Sequence, residues 1–195
     1  MGLENLTEGP AMRTFVAIEL PPHIRDALAE LSAELRKVPV RASWVQPDRI
    51  HLTLRFLGKI SPEIVERLGD MLAQDYAGHE CFTLRVKGAG AFPGFRKPRV
   101  VWAGVEPVEG TLTSAHRIAD QAAKAVGVPQ DSKRFNPHLT LARIRDIANA
   151  EPLGTALESH RSFNGGAFEV RRVALFSSRL TPKGAVYQQL REFPF

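Results

Sequence analysis

The chain has 195 residues, which suits one compact domain or two small lobes that share a core. Its composition, 44% hydrophobic and 24% charged residues, is typical of a soluble globular protein, and no apolar run approaches the ~20 residues of a membrane span. The formal net charge of +5 favours an anionic partner such as a phosphate ester or a nucleic acid, although the basic residues are scattered and form no cationic tail.

Strand and helix patterns alternate through the first half of the chain. Residues 1–11 fit no element, and we expect them to form a disordered extension ahead of a single domain at 12–195. At the best-marked helix start, the Ser61 hydroxyl can cap the helix, Pro62 suits its first turn and Glu63 adds an early acid. The expected elements of this half are a strand at 14–20, a helix over 24–38, strands at 44–45 and 51–57, a helix over 61–72 and a strand at 82–86.

The second half repeats this order, after an expected loop at 88–98 that is rich in glycine, proline and cations. This repeated order, with one His-Leu-Thr-Leu in each half, suggests an internal duplication, and no polar, low-complexity linker separates the halves. We therefore predict an α+β fold of two pseudo-symmetric lobes, each with an antiparallel sheet and helices, around a central cleft. The expected elements of this half are a strand at 99–103, a helix over 112–126, a strand at 138–143, a helix over 153–159 and strands at 168–177 and 186–191.

The tetrapeptide His-Leu-Thr-Leu occurs twice, at 51–54 and at 138–141. Its alternation of polar and apolar residues is typical of a strand, with histidine and threonine on one face and the leucines in the core. Of two histidines on rigid strands, one can take a proton from a nucleophile while the other gives one to a leaving oxygen, as metal-free phosphoester chemistry requires. We predict that His51 and His138 are catalytic and that Thr53 and Thr140 bind phosphate oxygens.

Two arginines follow the tetrapeptides, and a guanidinium matches a phosphate with two parallel hydrogen bonds. Arg55 shares the face of His51 and Thr53 if that strand is regular; its alternative is a solvated surface cation. Arg143 has the opposite parity to His138, so regular pleating would turn it away from the site. A bulge or its place at a strand end would still let Arg143 reach inward.

Other chemistries have less support in the sequence. Zinc sites need three or four clustered ligands, and no carboxylate stands close to either tetrapeptide, so we predict no metal and no cofactor. The chain has no Gly-x-Ser-x-Gly, no phosphate-binding Gly-x-x-x-x-Gly-Lys-Ser/Thr loop and no dinucleotide fingerprint. Of the remaining histidines, His116 and His160 are expected to be solvated helix residues.

Cys81 is the only cysteine, so no intramolecular disulfide can form, which fits a reducing cytosol. We expect it to be a buried small hydrophobe rather than a reactive thiol. The N-terminal residues show no signal-peptide pattern, and we expect a cytoplasmic protein without a membrane partner.

The segments 51–58 (HLTLRFLG) and 137–143 (PHLTLAR) resemble the two signatures of the 2H phosphoesterase superfamily. The resemblance is closest to the bacterial and archaeal RNA 2′,3′-cyclic phosphodiesterases, also called 2′-5′ RNA ligases. Further segments that resemble this family are 13–20, 44–47, 88–93, 101–105, 173–180 and 184–190.

The resemblance implies a bilobal, metal-independent and monomeric enzyme that hydrolyses RNA 2′,3′-cyclic phosphate ends to 2′-phosphates. It implies that His51 is the general acid and His138 the general base, that Thr53 and Thr140 hold the phosphate, and that Arg143 occupies the family's arginine position. It implies nothing for Arg55. The alternatives are a phosphodiesterase of small cyclic nucleotide derivatives, a module that only binds RNA ends, and an enzyme whose main role is RNA ligation.

Overall fold

A computed structural model describes residues 9–107, 110–131, 134–146, 149–181 and 184–195. Most of the expected N-terminal extension, residues 1–8 of 1–11, lies outside the described residues. The elements are, in chain order, β1 (Met12–Glu19), α1 (Pro22–Leu35), β2 (Arg41–Trp44), a short 3-10 turn (Pro47–Arg49), β3 (His51–Ile60), α2 (Pro62–Tyr76), β4 (Phe82–Phe92), β5 (Val100–Glu106), α3 (Thr111–Ala125), β6 (His138–Asp146), α4 (Glu151–Ser159), β7 (Asn164–Val170), β8 (Arg172–Thr181) and β9 (Gly184–Pro194).

The nine strands form one antiparallel sheet in the order β7-β4-β5-β6-β3-β1-β8-β9, with β2 paired to β6. Within the described residues, the central strands β3 and β6 pair only at Leu52 and Leu139. The sheet therefore consists of two halves joined at its centre, and each half contributes one of the two His-Leu-Thr-Leu strands to the junction.

The helices divide between these two halves. Helices α2 and α3 pack on each other and against β9 and β3, whereas α1 and α4 pack against β7 and β4. One lobe thus contains β1, β3, β8, β9, α2 and α3, and the other contains the remaining elements. The predicted α+β fold of two lobes is confirmed, but each lobe takes elements from both halves of the chain. None of the described helices has the length and apolar character needed to span a bilayer.

Apolar side chains lie on both faces of the first lobe's sheet. The main core joins the helices to one face and includes the leucines of both tetrapeptides. A second, small cluster on the opposite face contains Phe15, Ala17, Ala174 and Phe176, with Tyr187 packed against it. We call this face, which also carries the tetrapeptide histidines and threonines, the cleft face. Its aromatic cluster positions the site described below.

Three expectations about the strands and the core are wrong. The single strand expected at 168–177 is two strands, β7 and β8. The loop expected to begin at Gly88 is strand as far as Phe92, because Gly90 leaves room for the Trp102 indole: a Cβ there would lie 2.4 Å from that ring. Cys81 is exposed, because it continues the outward-facing phase of β4 rather than the inward phase of Leu84 and Val86.

Candidate active site

The two tetrapeptide histidines have the same local geometry. The His51 Nδ1 donates to the carbonyl of Arg49 at 2.9 Å, and the His138 Nδ1 donates to the carbonyl of Asn136 at 2.8 Å. A carbonyl oxygen only accepts hydrogen bonds, so Nδ1 carries the proton in the neutral form of each ring. In both histidines Nε2 is therefore the atom left to take or give a proton, which is the arrangement that acid–base catalysis needs.

Aromatic side chains hold both imidazoles in place. The His51 ring stacks on Phe15, with the ring centroids 4.7 Å apart, and meets Tyr187 edge-on at 5.0 Å. The His138 ring meets Phe92 edge-on at 5.0 Å. A backbone hydrogen bond together with these ring contacts limits the rotation of each imidazole, so the site is organised before substrate binds.

The pKa values of both histidines lie below the ordinary value. Burial is the largest cause in each, since it disfavours the charged imidazolium, and the backbone carbonyl that accepts from Nδ1 partly opposes it. The nearby charge of His138 lowers the pKa of His51 further, and the Arg143 guanidinium does the same to His138. The two imidazoles are thus electrostatically coupled, and they differ in the charges beside them.

Thr53 and Thr140 lie half-buried on the same face of the sheet as the histidines. The antiparallel leucine pair at the centre of the sheet puts Thr140 across from His51 and Thr53 across from His138. Among the described residues, neither threonine hydroxyl has a hydrogen-bond partner within the protein. Two imidazoles and two hydroxyls that can donate therefore converge on one surface.

Arg143 reaches this face because β6 contains a bulge. The register between β5 and β6 shifts at Leu141, and both Leu141 and Ala142 are buried although they are consecutive. The alternation restarts one residue late, so Arg143 is exposed on the side of His138. Burial lowers the pKa of His138 and raises that of Tyr187, and the charge of Arg143 adds to the first shift and opposes the second, which is consistent with a position between the lobes. Of the two placements that the sequence left open, the structure has the bulged one.

The first tetrapeptide strand has the same bulge with different consequences. The register between β1 and β3 shifts at Leu54, and Leu54 and Arg55 are both buried. Phe56 then faces the cleft with 57% of its side chain exposed. Phe56 in β3 therefore occupies the place that Arg143 has in β6, so the pseudo-symmetric site has an aromatic group on one side and a cation on the other.

Arg55 is neither in the site nor on the surface, and both expectations for it are wrong. Only 4% of it is exposed, and its Nε lies 3.0 Å from the carboxylate of Asp120 in α3. Its guanidinium also donates to the backbone carbonyls of Phe56 and Pro129, with Asp131 at 3.9 Å. The bulge at Leu54 turns Arg55 into the helix-side core, where it holds the loop after α3 against β3.

A cavity of about 380 Å³ lies beside His51. Its walls combine aromatic rings with charged and amide side chains, so it can take a group with both flat apolar faces and polar edges. It is lined by, among others, Phe15, Phe176, Tyr187, Arg25, Arg49 and Gln189.

The sequence analysis missed the aromatic residues of the site. Phe15, Tyr187 and Phe92 contact the two imidazoles, and the ring of the exposed Phe56 lies 6.2 Å from that of Phe15. Phe15 could have been found, since the alternation of β1 puts it opposite the buried Val16. The others lie on strands that reach the histidines only through long-range pairing and bulges, which no local pattern encodes.

The other histidines do not add a ligand set. No group of three or more His, Cys, Asp or Glu side chains in the described part of the chain could hold a metal ion. His116 and His160, expected to be solvated, are both half-buried. Each bonds to a backbone carbonyl through Nδ1, His116 to Leu54 at 2.9 Å and His160 to Ala156 at 2.8 Å.

Comparison with known proteins gives consistent matches over most of the chain. The model of a family described as LigT like Phosphoesterase matches residues 18–102 and 104–187, and each match contains one His-Leu-Thr-Leu. A protein of Archaeoglobus fulgidus named RNA 2′,3′-cyclic phosphodiesterase is 37% identical, over 93% of this chain and 99% of its own length. One of the same name from Methanothermobacter thermautotrophicus is 30% identical, over 93% and 98%.

Solved structures extend this similarity to the fold. The crystal structure of E. coli LigT complexed with 3′-AMP superimposes with a TM-score of 0.79 at 28% identity. The match covers 95% of this chain and 98% of the E. coli protein.

Proposed function

Since the chain belongs to the LigT-like phosphoesterase family, we propose that it hydrolyses RNA 2′,3′-cyclic phosphate ends to 2′-phosphate ends without a metal or cofactor. The observation that carries this proposal is the pair His51 and His138, each held by the same carbonyl bond through Nδ1, with Nε2 left for proton transfer. The names of the relatives supply the substrate class.

We assign His138 as the general base and His51 as the general acid. These roles follow the family resemblance. Burial, with the charge of Arg143 added to it, lowers the pKa of His138 and so favours the neutral ring that a base requires. Water gives its proton to the His138 Nε2 and attacks phosphorus in line with the 3′-oxygen. The bond from phosphorus to that oxygen breaks, and the protonated His51 Nε2 gives the departing oxygen a proton. His138 ends charged and His51 neutral, and exchange with solvent restores both.

The threonines and Arg143 bind the phosphoryl oxygens. Thr53 and Thr140 lie across the strand junction from the two histidines, so both hydroxyls can donate to non-bridging oxygens of one phosphate. The Arg143 guanidinium adds a positive charge on the same face. These donors are fixed before the reaction, so they stabilise the negative charge that builds up on the phosphoryl oxygens without reorganisation.

Ligation follows from the same groups. In ligation, a 5′-hydroxyl would take the place of water and lose its proton as it attacks phosphorus. In the reverse reaction, the same hydroxyl would be released as the leaving group. The site therefore allows reversible 2′-5′ joining as a side activity. The large excess of water favours hydrolysis.

We further propose that residues 12–195 act as one domain, as a monomer, in a reducing cytoplasm. The packing of both lobes around a shared strand junction supports a single domain, and the lone exposed Cys81 is compatible with reducing conditions.

The proposal is tested with an oligonucleotide that ends in a 2′,3′-cyclic phosphate and with the corresponding mononucleotide, both in excess chelator. We expect the oligonucleotide to be hydrolysed to a 2′-phosphate only, because His51 protonates the 3′-oxygen. A 3′-phosphate product would reverse the substrate orientation, and activity lost in chelator but restored by zinc or manganese would refute the metal-free mechanism. Preference for the mononucleotide would favour a phosphodiesterase of small cyclic nucleotides, and binding without turnover would favour an RNA-end-binding module.

A further inference from the structure

His116 of α3 contacts the first tetrapeptide and the segment that precedes the second, although it lies on the helix side of the sheet. Its Nδ1 donates to the backbone carbonyl of Leu54 at 2.9 Å. Its ring stacks on Phe135 with 4.0 Å between centroids and 2° between planes. Leu54 belongs to the first tetrapeptide, and Phe135 leads into the second.

The contact with Leu54 falls on the bulge of β3. A bulge leaves a backbone group outside the strand ladder, so the Leu54 carbonyl needs a donor from elsewhere. In β6 the corresponding carbonyl, that of Leu141, accepts from the backbone amide of Val45 at 2.8 Å. His116 thus supplies with a side chain the hydrogen bond that the other lobe supplies with its backbone.

One turn further along α3, Asp120 binds the next residue of the same bulge. Its carboxylate lies 3.0 Å from the Arg55 Nε and 2.9 Å from Lys124. His116 and Asp120 therefore hold the two buried bulge residues from one helix face. That bulge decides that Phe56, and not Arg55, faces the cleft.

The contact with Phe135 reaches the other catalytic histidine. Phe135 is followed by Asn136, whose carbonyl accepts the His138 Nδ1 hydrogen bond at 2.8 Å. A shift of Phe135 would move this carbonyl and rotate the imidazole. His116 thus contacts Phe135, whose neighbour Asn136 orients the His138 ring, and it also contacts Leu54, the residue after Thr53.

We propose that His116 is a positioning residue, which fixes the bulge of the first tetrapeptide strand relative to the segment that orients His138. The inference rests on the proposed function, and it gives His116 no part in proton transfer. Misplacement of reacting groups by about 1 Å can cost ~10²-fold in rate, so a partial loss of register should be visible in turnover.

The test compares His116→Ala, which removes both contacts, with His116→Gln, which keeps a donor, and His116→Phe, which keeps a ring for Phe135. The matched control is His160→Ala, since His160 is also half-buried and bonds through Nδ1 to a backbone carbonyl, but lies at the end of α4. Thermal melting, kcat and KM for the cyclic-phosphate oligonucleotide, and the NMR signals of the His51 and His138 rings are measured for each protein.

We expect His116→Ala to lower kcat by about tenfold or more with KM nearly unchanged, and to shift the His138 ring signals without substrate. Both conservative variants should restore part of kcat, whereas His160→Ala should leave kcat and both ring signals as in the wild type. If His116→Ala does not fold, the same comparison is made with His116→Gln and His116→Phe. Each of these variants should then have a kcat below that of the wild type, but without a severe loss.

Wild-type kcat and unshifted His138 signals in the folded His116 variants would overturn this proposal. So would an equal loss in His160→Ala, since it would indicate a general effect on stability. A wild-type protein without turnover would instead refute the proposed function, and the NMR comparison would still test the positioning role.

Discussion

Phe56 in β3 and Arg143 in β6 are structural counterparts. Each follows the bulge of its strand. The charge of Arg143 reaches His138, and the Phe56 ring lies 6.2 Å from that of Phe15, which stacks on His51. The two tetrapeptides give the lobes the same imidazole and hydroxyl groups, whereas this pair makes their electrostatics different. The charge of Arg143 adds to burial in lowering the pKa of His138, whereas Phe56 brings no charge to the other lobe, which is consistent with the different roles that we propose for the two histidines.

The pH dependence of kcat/KM should be bell-shaped and displaced to acid. Burial lowers the pKa of both histidines. The base must be neutral, so its limb rises at a lower pH than for an unperturbed imidazole. The acid must be charged, so activity is also lost at a lower pH on the alkaline side. We expect both limbs below about 6.5, the ordinary pKa of histidine. A profile centred above that value would contradict the burial of the pair.

Arg143→Ala should lower kcat/KM by about 10²–10³-fold, since it removes a fixed donor to the phosphoryl oxygens. The low-pH limb of the profile, which follows the protonation of the base His138, should also move to higher pH, because the Arg143 charge that helps to lower the pKa of His138 is gone. Arg143→Lys is the matched control: it keeps the charge, so the limb should stay in place while part of kcat/KM is lost. Unchanged kinetics in Arg143→Ala would place the guanidinium outside the site.

Arg55→Met should affect stability through the buried pair with Asp120. The substitution leaves a carboxylate that is only 16% exposed without its arginine, although Lys124 remains beside it. We expect a loss of about 3 kcal/mol in the free energy of unfolding, measured in urea. Adding Asp120→Asn should restore part of the lost free energy of unfolding, because it removes the unpaired carboxylate.

The control for this prediction is Arg161→Met, since Arg161 forms an exposed helix-end pair with Glu158. It should cost less than about 1 kcal/mol. If Arg55→Met and Arg161→Met lower the free energy of unfolding equally, the burial of the Arg55–Asp120 pair does not increase the cost of losing its arginine.

Local pattern was enough to place the two tetrapeptide histidines on their strands and to predict most elements. The alternation in His-Leu-Thr-Leu assigns His51, Thr53, His138 and Thr140 to one face, and the structure places them there. The period of apolar residues likewise gave all four helices, with boundaries that shifted by a few residues.

Long-range pairing decided what local pattern could not. The bulges of β3 and β6 depend on the register with β1 and β5, and they reverse the faces that regular pleating would give Arg55 and Arg143. Long-range pairing also decides the composition of the lobes, because strands from both halves of the chain pair within each lobe's part of the sheet. His116 was expected to be solvated because nothing near it in sequence shows that Leu54 and Phe135 lie against it.

Single-turnover and steady-state rates of His51→Ala and His138→Ala will show whether both histidines transfer protons, as we propose. Each should lower kcat by about 10²-fold or more, with RNA-end binding and thermal melting largely preserved. The losses should not add in the double variant, because the two transfers belong to one concerted step. His23→Ala is the control, since its exposed ring bonds only to a backbone carbonyl in β7 among the described residues. Near-normal turnover in both single variants would contradict the account and leave the tetrapeptides a structural or binding role.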